Sequence, residues 1–217
     1  MDRLHTKWSQ SPTTRDLYGG TGGIDVSEVV CDASAHIDDD VILGYGETSN
    51  GVQIGPEAHI RSGTVVYDDV RIGARFRTGH NALVREATRI GDDVLLGTGS
   101  TIDGRCVVGS GVSIQSHVYV PTATEIGSNV FVGPGAVLTN DPYPIRRDEP
   151  LEGPILEDGV SIGANATILP GVTVGSDAFV AAGAIVTEDV PPERLAVGTP
   201  ARIRPLPEKL ASTNQIA

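Results

Sequence analysis

The sequence is poor in several residue types that mark particular classes of protein. Its 217 residues include only two lysines, Lys7 and Lys209, together with one tryptophan and three phenylalanines. The formal net charge is −12, which disfavours nonspecific binding to nucleic acids and to anionic membranes. Two cysteines, Cys31 and Cys106, are too few for a disulfide scaffold, and we expect two reduced thiols that fill space in a reducing compartment.

Long apolar runs are also missing from the chain. Residues 1–10 lack the apolar core of a signal peptide, and no later run approaches the roughly 20 residues that a membrane-spanning helix needs. We therefore expect a cytoplasmic protein. Its length allows one sizeable domain or two small ones, and the repeat described next favours one.

A six-residue repeat runs through the middle of the chain and organises the rest. An aliphatic residue opens nearly every block of six between Ile54 and Leu138, and Thr78 is the exception. A period of six fits neither an α-helix nor simple strand alternation, but it is typical of a parallel β-helix in which three short strands make one triangular coil. The sequence therefore predicts an all-β prism whose stacked openers form a continuous core.

Interruptions of the repeat predict the boundaries of the domain. Residues 1–23 are polar and glycine-rich at their end, which predicts a flexible lead-in, and the β-helix is expected over residues 24–192. The repeat stops at Thr139 and resumes at Leu156. If it continued between them, Pro144 and Pro150 would fall on inward strand positions, which proline does not suit. Residues 139–155 are therefore predicted to form an excursion loop. Residues 193–217 are expected to be a cap and tail.

Counting by one full coil, which is three blocks of six, stacks polar side chains on one corner of the prism. Asn81 and His117 fall in this column, separated by Gly99, and His80 adjoins Asn81. At one strand spacing per coil, Asn81 and His117 should lie roughly 10 Å apart. We expect the excursion loop to leave from the same corner and cover it as a lid. An ordinary surface turn, which tolerates any polar residue, is the alternative interpretation.

Two segments in the second half resemble those of the left-handed β-helix acetyltransferases. They are Ile162-Gly163-Ala164-Asn165-Ala166-Thr167-Ile168-Leu169-Pro170-Gly171-Val172 and Leu195-Ala196-Val197-Gly198-Thr199-Pro200-Ala201-Arg202. Within this superfamily, the segments His80–Glu86 and Thr139–Tyr143 look most like the N-acetyltransferases that modify nucleotide-linked amino sugars. The resemblance implies left-handed coils, a homotrimer, and acetyl-CoA bound in the groove between neighbouring prisms.

The resemblance also implies particular binding residues. In those acetyltransferases, small residues let an extended pantetheine arm pass, and they match Ala164, Ala182 and Gly183 here. Thr187 matches a site near the adenosine, and Arg202 matches a site near the CoA phosphates. Alternatively, the alanines only pack and Arg202 is a solvated end cap. The candidate substrate-binding residues are Arg85, Glu86, Asn140, Tyr143 and Arg146, of which Arg146 is expected near a nucleotide diphosphate.

The excursion loop departs from the pattern of the sugar O-acetyltransferases, which carry a catalytic histidine in a Gly-His-Pro segment. The matching residues here are Asn140-Asp141-Pro142. A hydroxyl acceptor needs a base such as histidine, whereas an amine is partly neutral near pH 7, so the departure favours N-acetylation. The candidate catalytic residues are Asn81, which would orient the amine or the carbonyl, His80 as proton acceptor, and His117 or Asp141 as the alternative base.

Three other functions remain open at this stage. Sugar O-acetylation is the first. The second is a zinc enzyme like the γ-type carbonic anhydrases, but Asn81 and Thr122 stand where histidine ligands would be expected beside His117. The third is a non-catalytic scaffold. We expect an acetyl-CoA-dependent transferase that acts on a small molecule, requires no metal and binds neither nucleic acid nor membrane.

Overall fold

The chain folds into a parallel β-helix built from short strands, as the six-residue repeat predicts. The computed structural model describes residues 28–46, 50–212 and 214. The predicted lead-in, residues 1–23, and the predicted start of the first coil at Ile24 lie outside these residues. Among the described residues, no helix is long and apolar enough to cross a membrane.

Three sheets form the three faces of the prism, and each coil contributes one strand to each sheet. Face A contains β1 Val29–Cys31, β4 Val52–Ile54, β7 Val70–Ile72, β10 Thr88–Ile90, β13 Val107–Val108, β16 Glu125–Ile126, β19 Ile155–Leu156 and β22 Thr173–Val174. Face B contains β2 His36–Ile37, β5 His59–Ile60, β8 Arg77–Thr78, β11 Leu95–Leu96, β14 Ser113–Ile114, β17 Phe131–Val132, β20 Ser161–Ile162, β23 Phe179–Val180, β25 Arg194–Gly198 and β26 Ala201–Pro205. Face C contains β3 Ile42–Tyr45, β6 Val65–Tyr67, β9 Leu83–Val84, β12 Thr101–Ile102, β15 Tyr119–Val120, β18 Val137–Leu138, β21 Thr167–Ile168 and β24 Ile185–Val186.

The predicted openers form the core. Each opener from Ile54 onwards is buried, and in the regular coils parallel strands pair it with the opener one coil away, as Leu96 pairs with Thr78 and Ile114. Thr78, the exception in the series, is also buried; its hydroxyl oxygen accepts the Arg61 N–H at 2.9 Å and lies 3.3 Å from that of Thr64. The polar opener is therefore tolerated because its hydrogen-bonding groups have partners.

The two ends of the prism differ from its middle. No residue between 28 and 46 is buried, and Cys31, which was predicted to fill space inside the first coil, is exposed. That prediction was wrong because only one neighbouring coil covers this end among the described residues. At the other end β25 continues face B in parallel, and β26 returns antiparallel to β25. A short 3-10 helix follows at Glu208–Leu210.

Candidate functional site

Face C separates the predicted site residues into two groups. His80, Asn81 and His117 lie in the turns that lead from face B to face C, which we call the B–C corner. The excursion loop leaves after β18 of face C and returns to β19 of face A, so it lies at the C–A corner. The prediction that the loop covers His117 was therefore wrong. The chain crosses face C between the two corners, and four strand residues, as from Asn81 to Arg85, span roughly 13 Å.

Backbone geometry explains the polar residues of the B–C corner. Asn81 and His117 have positive φ angles of 57° and 58°, in the left-handed region that favours Gly and Asn. Glycine and a longer residue alternate along the column, in the order Gly63, Asn81, Gly99, His117, Gly135, Asn165 and Gly183. Each longer side chain covers the glycine of the preceding coil; a Cβ atom on Gly99 would lie 2.7 Å from His117 Nδ1.

A pair of substitutions at Asn81 separates this turn role from catalysis. We expect Asn81→Ala to lower the free energy of unfolding by about 1 kcal/mol, because alanine is strained at positive φ, and Asn81→Gly to lower it much less. Urea unfolding measures both values, and kcat/KM is measured beside them. If Asn81 takes part in catalysis instead, both variants lose kcat/KM to the same extent whatever their stability.

The candidate cofactor residues of the B–C corner lie together at the C-terminal end of the prism. Gly183 N–H donates to Ala164 O at 2.8 Å, and Ala182 precedes Gly183 in the same turn. A Cβ atom on Gly183 would meet nothing within 4 Å, so this turn borders open space. Thr199 Oγ1 donates to Gly183 O at 3.2 Å, which fixes the β25–β26 turn here, and exposed Arg202 follows in β26.

Asn140 anchors the excursion loop at both of its ends. Its side-chain amide donates to Thr122 O at 3.0 Å, and its carbonyl oxygen accepts the Glu152 N–H at 2.9 Å. Leu138 and Leu156 are eighteen positions apart, whereas successive openers elsewhere are six apart, so the loop inserts twelve residues. Gly171 N–H donates to Glu152 O at 2.9 Å. In a regular coil the same N–H, of the fourth residue in a block, donates to the third residue of the block one coil earlier, as Gly99 N–H does to His80 O. The frame therefore resumes at Glu152 as if nothing had intervened.

Three predicted site residues lie beyond this anchor. Asp141 Oδ1 accepts the Tyr143 N–H at 2.8 Å, which makes a local turn at the start of the loop. The Arg147 guanidinium stacks over the Tyr143 ring at 4.8 Å. Arg146 N–H donates to Tyr143 O at 2.9 Å, and its side chain is exposed. Asp141 and Tyr143 are thus held by the loop itself, and Arg146 is available to an anion from solvent.

A cleft of about 570 Å³ lies between the loop and the edge of face C. Asn140 and Asp141 from the loop line it together with Thr187 of the C–A corner. The other lining residues are mostly apolar: Tyr119, Val137, Leu138, Thr139, Pro142, Pro144, Leu169 and Pro170. Its volume is that of a small-molecule site. The cleft brings together one predicted catalytic residue, one substrate residue and one cofactor residue.

A polar network across three coils reaches this cleft at Tyr119. Arg85 donates two hydrogen bonds to Glu86, at 2.9 and 3.1 Å, and one to Asp103 Oδ1 at 3.1 Å. Asp103 Oδ2 accepts the Tyr119 hydroxyl at 2.8 Å. Partial desolvation of the phenol and this hydrogen bond raise the pKa of Tyr119 to about 12, so the phenol is neutral near pH 7.

The network gives a structural role to Arg85 and Glu86, which were predicted to bind substrate. Arg85 binds both Glu86 and Asp103, which leaves little of its charge for an anion, and Asp103 in turn holds the Tyr119 hydroxyl. Asp103 and Tyr119 were not predicted from the sequence. The signal was present, since Asp103 stands one full coil after Arg85 and Tyr119 stands one full coil after Thr101, its strand partner.

His117 is not part of a metal-binding cluster within the described part of the chain. Among those residues, the single group of three or more His, Cys, Asp or Glu side chains close enough to share an ion is His36, Asp38 and His59. This group lies on the first two coils, away from His117. The zinc-enzyme alternative, which depended on His117, therefore finds no set of ligands around it in one chain.

Comparison with known proteins supports the fold and the repeat. Residues 87–122, 105–140 and 153–188 match the family "Bacterial transferase hexapeptide (six repeats)". No curated protein matches the chain in sequence. The hexapeptide transferase family protein from Anaplasma phagocytophilum is 19% identical, covers 85% of this chain and 83% of its own, and superposes with a TM-score of 0.50.

Two further solved structures show weaker likeness. The polySia-specific acetyltransferase NeuO is 23% identical over 84% of this chain and 87% of its own, with a TM-score of 0.41. The UDP-N-acetylglucosamine acyltransferase from Bacteroides fragilis is 17% identical over 81% of this chain and 72% of its own, with a TM-score of 0.46. At these identities the likeness is one of fold alone.

The three matched segments carry the hexapeptide repeat of bacterial transferases, and the chain has the fold of a hexapeptide-repeat β-helix. The six-residue frame, the parallel prism and the three matched segments agree on this. This supports the prediction that the chain is an acyltransferase. The predicted fold class is confirmed, and so is the prediction that the chain is an enzyme.

Proposed function

We propose that the protein transfers an acetyl group from acetyl-CoA to the amine of an amino sugar that is linked to a nucleotide. The single observation that carries this proposal is the cleft beneath the excursion loop, where Asp141 faces the same space as Thr187. Of the residues that line the cleft, only Asp141 and Tyr119 can ionise, and Tyr119 stays protonated near pH 7. Asp141 is therefore the lining group that can accept a proton.

A carboxylate base favours an amine acceptor. Deprotonation of a sugar hydroxyl calls for a base with a pKa near neutrality, whereas a fraction of an amino sugar already presents a neutral nitrogen. In the proposed reaction this nitrogen attacks the thioester carbonyl carbon and forms the C–N bond. The C–S bond breaks, CoA leaves as the thiolate, and the ammonium proton passes to Asp141 and then to the thiolate or to water. Orientation within the cleft supplies much of the rate.

Positive charge on the loop suits the nucleotide. Arg146 and Arg147 are exposed and follow the cleft residues Asp141, Pro142 and Pro144 in the loop, and arginine pairs well with phosphate oxygens. We propose that Arg146 meets the diphosphate, because Arg85 already binds Glu86 and Asp103. Tyr143 is then a candidate surface for the base or the sugar.

The split of the cofactor residues supports a homotrimer. Ala164, Ala182 and Gly183 lie at the B–C corner, whereas Thr187 lies in the cleft at the C–A corner. We propose that CoA runs along the small residues of one protomer and reaches the cleft of its neighbour, with Arg202 near the phosphates. His80 could reach a neighbouring cleft in the same way. Exposed apolar residues on this side, Tyr119, Val137 and the loop residue Ile145, are suited to burial in such an assembly.

Release of free thiol from acetyl-CoA tests the proposal. The acceptors are paired, each nucleotide-linked amino sugar beside the same compound with a hydroxyl in place of the amine. We expect release with some amines and none with their hydroxyl partners. Turnover with hydroxyl acceptors alone would mean O-acetylation. If no acceptor promotes thiol release and calorimetry detects no acetyl-CoA binding, the chain is a scaffold and the proposal fails.

A further inference from the structure

Two histidines and an aspartate converge on the outer surface of the first two coils. His36 of β2 and His59 of β5 are paired neighbours on face B, and their rings meet edge to face with centroids 4.6 Å apart. His36 Nε2 lies 3.2 Å from Asp38 Oδ1, and His59 Nε2 lies 3.5 Å from the same oxygen. We propose that these three side chains form a binding site for a divalent transition-metal ion, with zinc as the reference ion.

The distances between the ligand atoms fit a tetrahedral ion. Metal–ligand bonds of about 2.0–2.1 Å place neighbouring ligand atoms of a tetrahedron roughly 3.3 Å apart. The two contacts with Asp38 Oδ1, at 3.2 and 3.5 Å, bracket this value. All three ligand atoms lie within 4.8 Å of one another. A modest rotation of one imidazole ring would therefore bring the two histidine nitrogens to the tetrahedral separation. Two imidazoles and one carboxylate form a donor set that zinc accepts.

A second shell holds the carboxylate in place. The Ser62 N–H donates to Asp38 Oδ2 at 3.3 Å and leaves Oδ1 to the two histidines. The Asp38 N–H donates to Ile60 O at 2.9 Å, which fixes the backbone of the candidate ligand against the next coil. Such hydrogen bonds orient carboxylate ligands in metal sites. His36, whose side chain is 69% exposed, leaves the fourth position open to water.

Charges around the cluster are mixed but favour a cation. Asp39 and Asp40 follow Asp38 on the exposed surface, and the chain as a whole carries −12. Arg77 is the strand neighbour of His59 on the next coil, and Arg61 follows Ile60. The two histidines themselves add no charge, because they bind metal as neutral imidazoles. Three consecutive aspartates, Asp38 to Asp40, thus stand against two arginines near the cluster.

The site would fasten the least covered coil of the prism. No residue between 28 and 46 is buried, so the first coil has little core of its own. A metal bound to His36, Asp38 and His59 cross-links β2 to β5. Because an ion that binds only the folded arrangement stabilises it, the first coil should open less often when metal is bound.

Calorimetric titration with Zn²⁺, and with Co²⁺ for its visible absorption, tests the proposal on the full chain. We expect one ion per chain and at least a tenfold weaker Kd in each of His36→Ala, His59→Ala and Asp38→Asn. These side chains are at least partly exposed, so the variants should fold. His117→Asn is the matched control, because asparagine tolerates positive φ, and it should bind as the parent does.

Amide hydrogen exchange provides a readout independent of transferase activity. Saturating Zn²⁺ should slow exchange in residues 28–46 of the parent chain and of His117→Asn, but not in His59→Ala. The proposal is overturned if Zn²⁺ does not bind, or if it binds the three ligand variants as tightly as the parent. The second result would mean that the ion sits elsewhere, and the cluster is then only a hydrogen-bonded group.

Discussion

Asp141→Asn is expected to lower kcat/KM for acetyl transfer by roughly 10²- to 10⁴-fold, the usual effect of losing a general base. Asparagine is nearly isosteric with aspartate, and its side-chain oxygen can still accept the Tyr143 N–H, a hydrogen bond of 2.8 Å in the parent. The turn at the start of the loop is therefore kept while the proton acceptor is removed. The loss should appear in kcat, because the substrate contacts remain.

Asp148→Asn is the matched control for this substitution. Asp148 is exposed on the same loop, carries the same charge and does not line the cleft. We expect its kcat/KM to stay within about twofold of the parent value, since exposed charges several residues away act weakly. Equal losses in the two variants would indicate a general effect of loop charge. Full activity of Asp141→Asn would remove Asp141 from the mechanism and favour His80.

Deletion of residues 141–152 is expected to abolish transfer and leave the prism folded. The loop inserts twelve residues, so joining Asn140 to Gly153 restores the six-residue spacing between Leu138 and Leu156. The shortened chain places Gly153 at the turn position that Ala123 occupies one coil earlier with a φ of 66°, which glycine adopts readily. Removal of the loop takes away Asp141, Arg146 and the upper wall of the cleft.

Two measurements on the deletion variant separate folding from function. Circular dichroism and thermal unfolding should match those of the parent within a few degrees, because the loop adds almost nothing to the buried core. Thiol release should fall to the level without enzyme, a loss of at least roughly 10³-fold if base and positioning are removed together. Substantial turnover by a folded deletion variant would indicate that the active site lies at the B–C corner.

Most of the fold could be predicted because the repeat encodes burial directly. Each opener is inward-facing, so the sequence period alone identifies Leu96 or Ile114 as core. The same count placed Asn81 and His117 in one column, and they do share the B–C corner. It could not show why those residues are there, because an outward fourth position reveals neither its positive φ nor the glycine that its side chain covers.

The site was harder to predict because it depends on where one strand ends. Val132 closes a strand of face B, but the chain still crosses face C through Leu138 before it leaves the prism. The loop therefore belongs to the next corner, with Thr187 and Tyr119 and without His117. The His36–Asp38–His59 cluster was not predicted from the sequence for a similar reason. The coil that joins Ala35-His36-Ile37 to Ala58-His59-Ile60 is longer than the regular repeat, so a count of regular coils does not align these two paired strands.

The proposed reaction forms an amide between an acetyl group and the nitrogen of an amino sugar. Its most direct test is the fate of acetyl-CoA labelled with ¹³C at the carbonyl, followed by NMR in the presence of the acceptor that best promotes thiol release. We predict that the label appears in an acetamide on the sugar nitrogen, at a rate that Asp141→Asn greatly reduces. Label in a sugar ester, or in free acetate alone, would contradict the proposed N-acetylation.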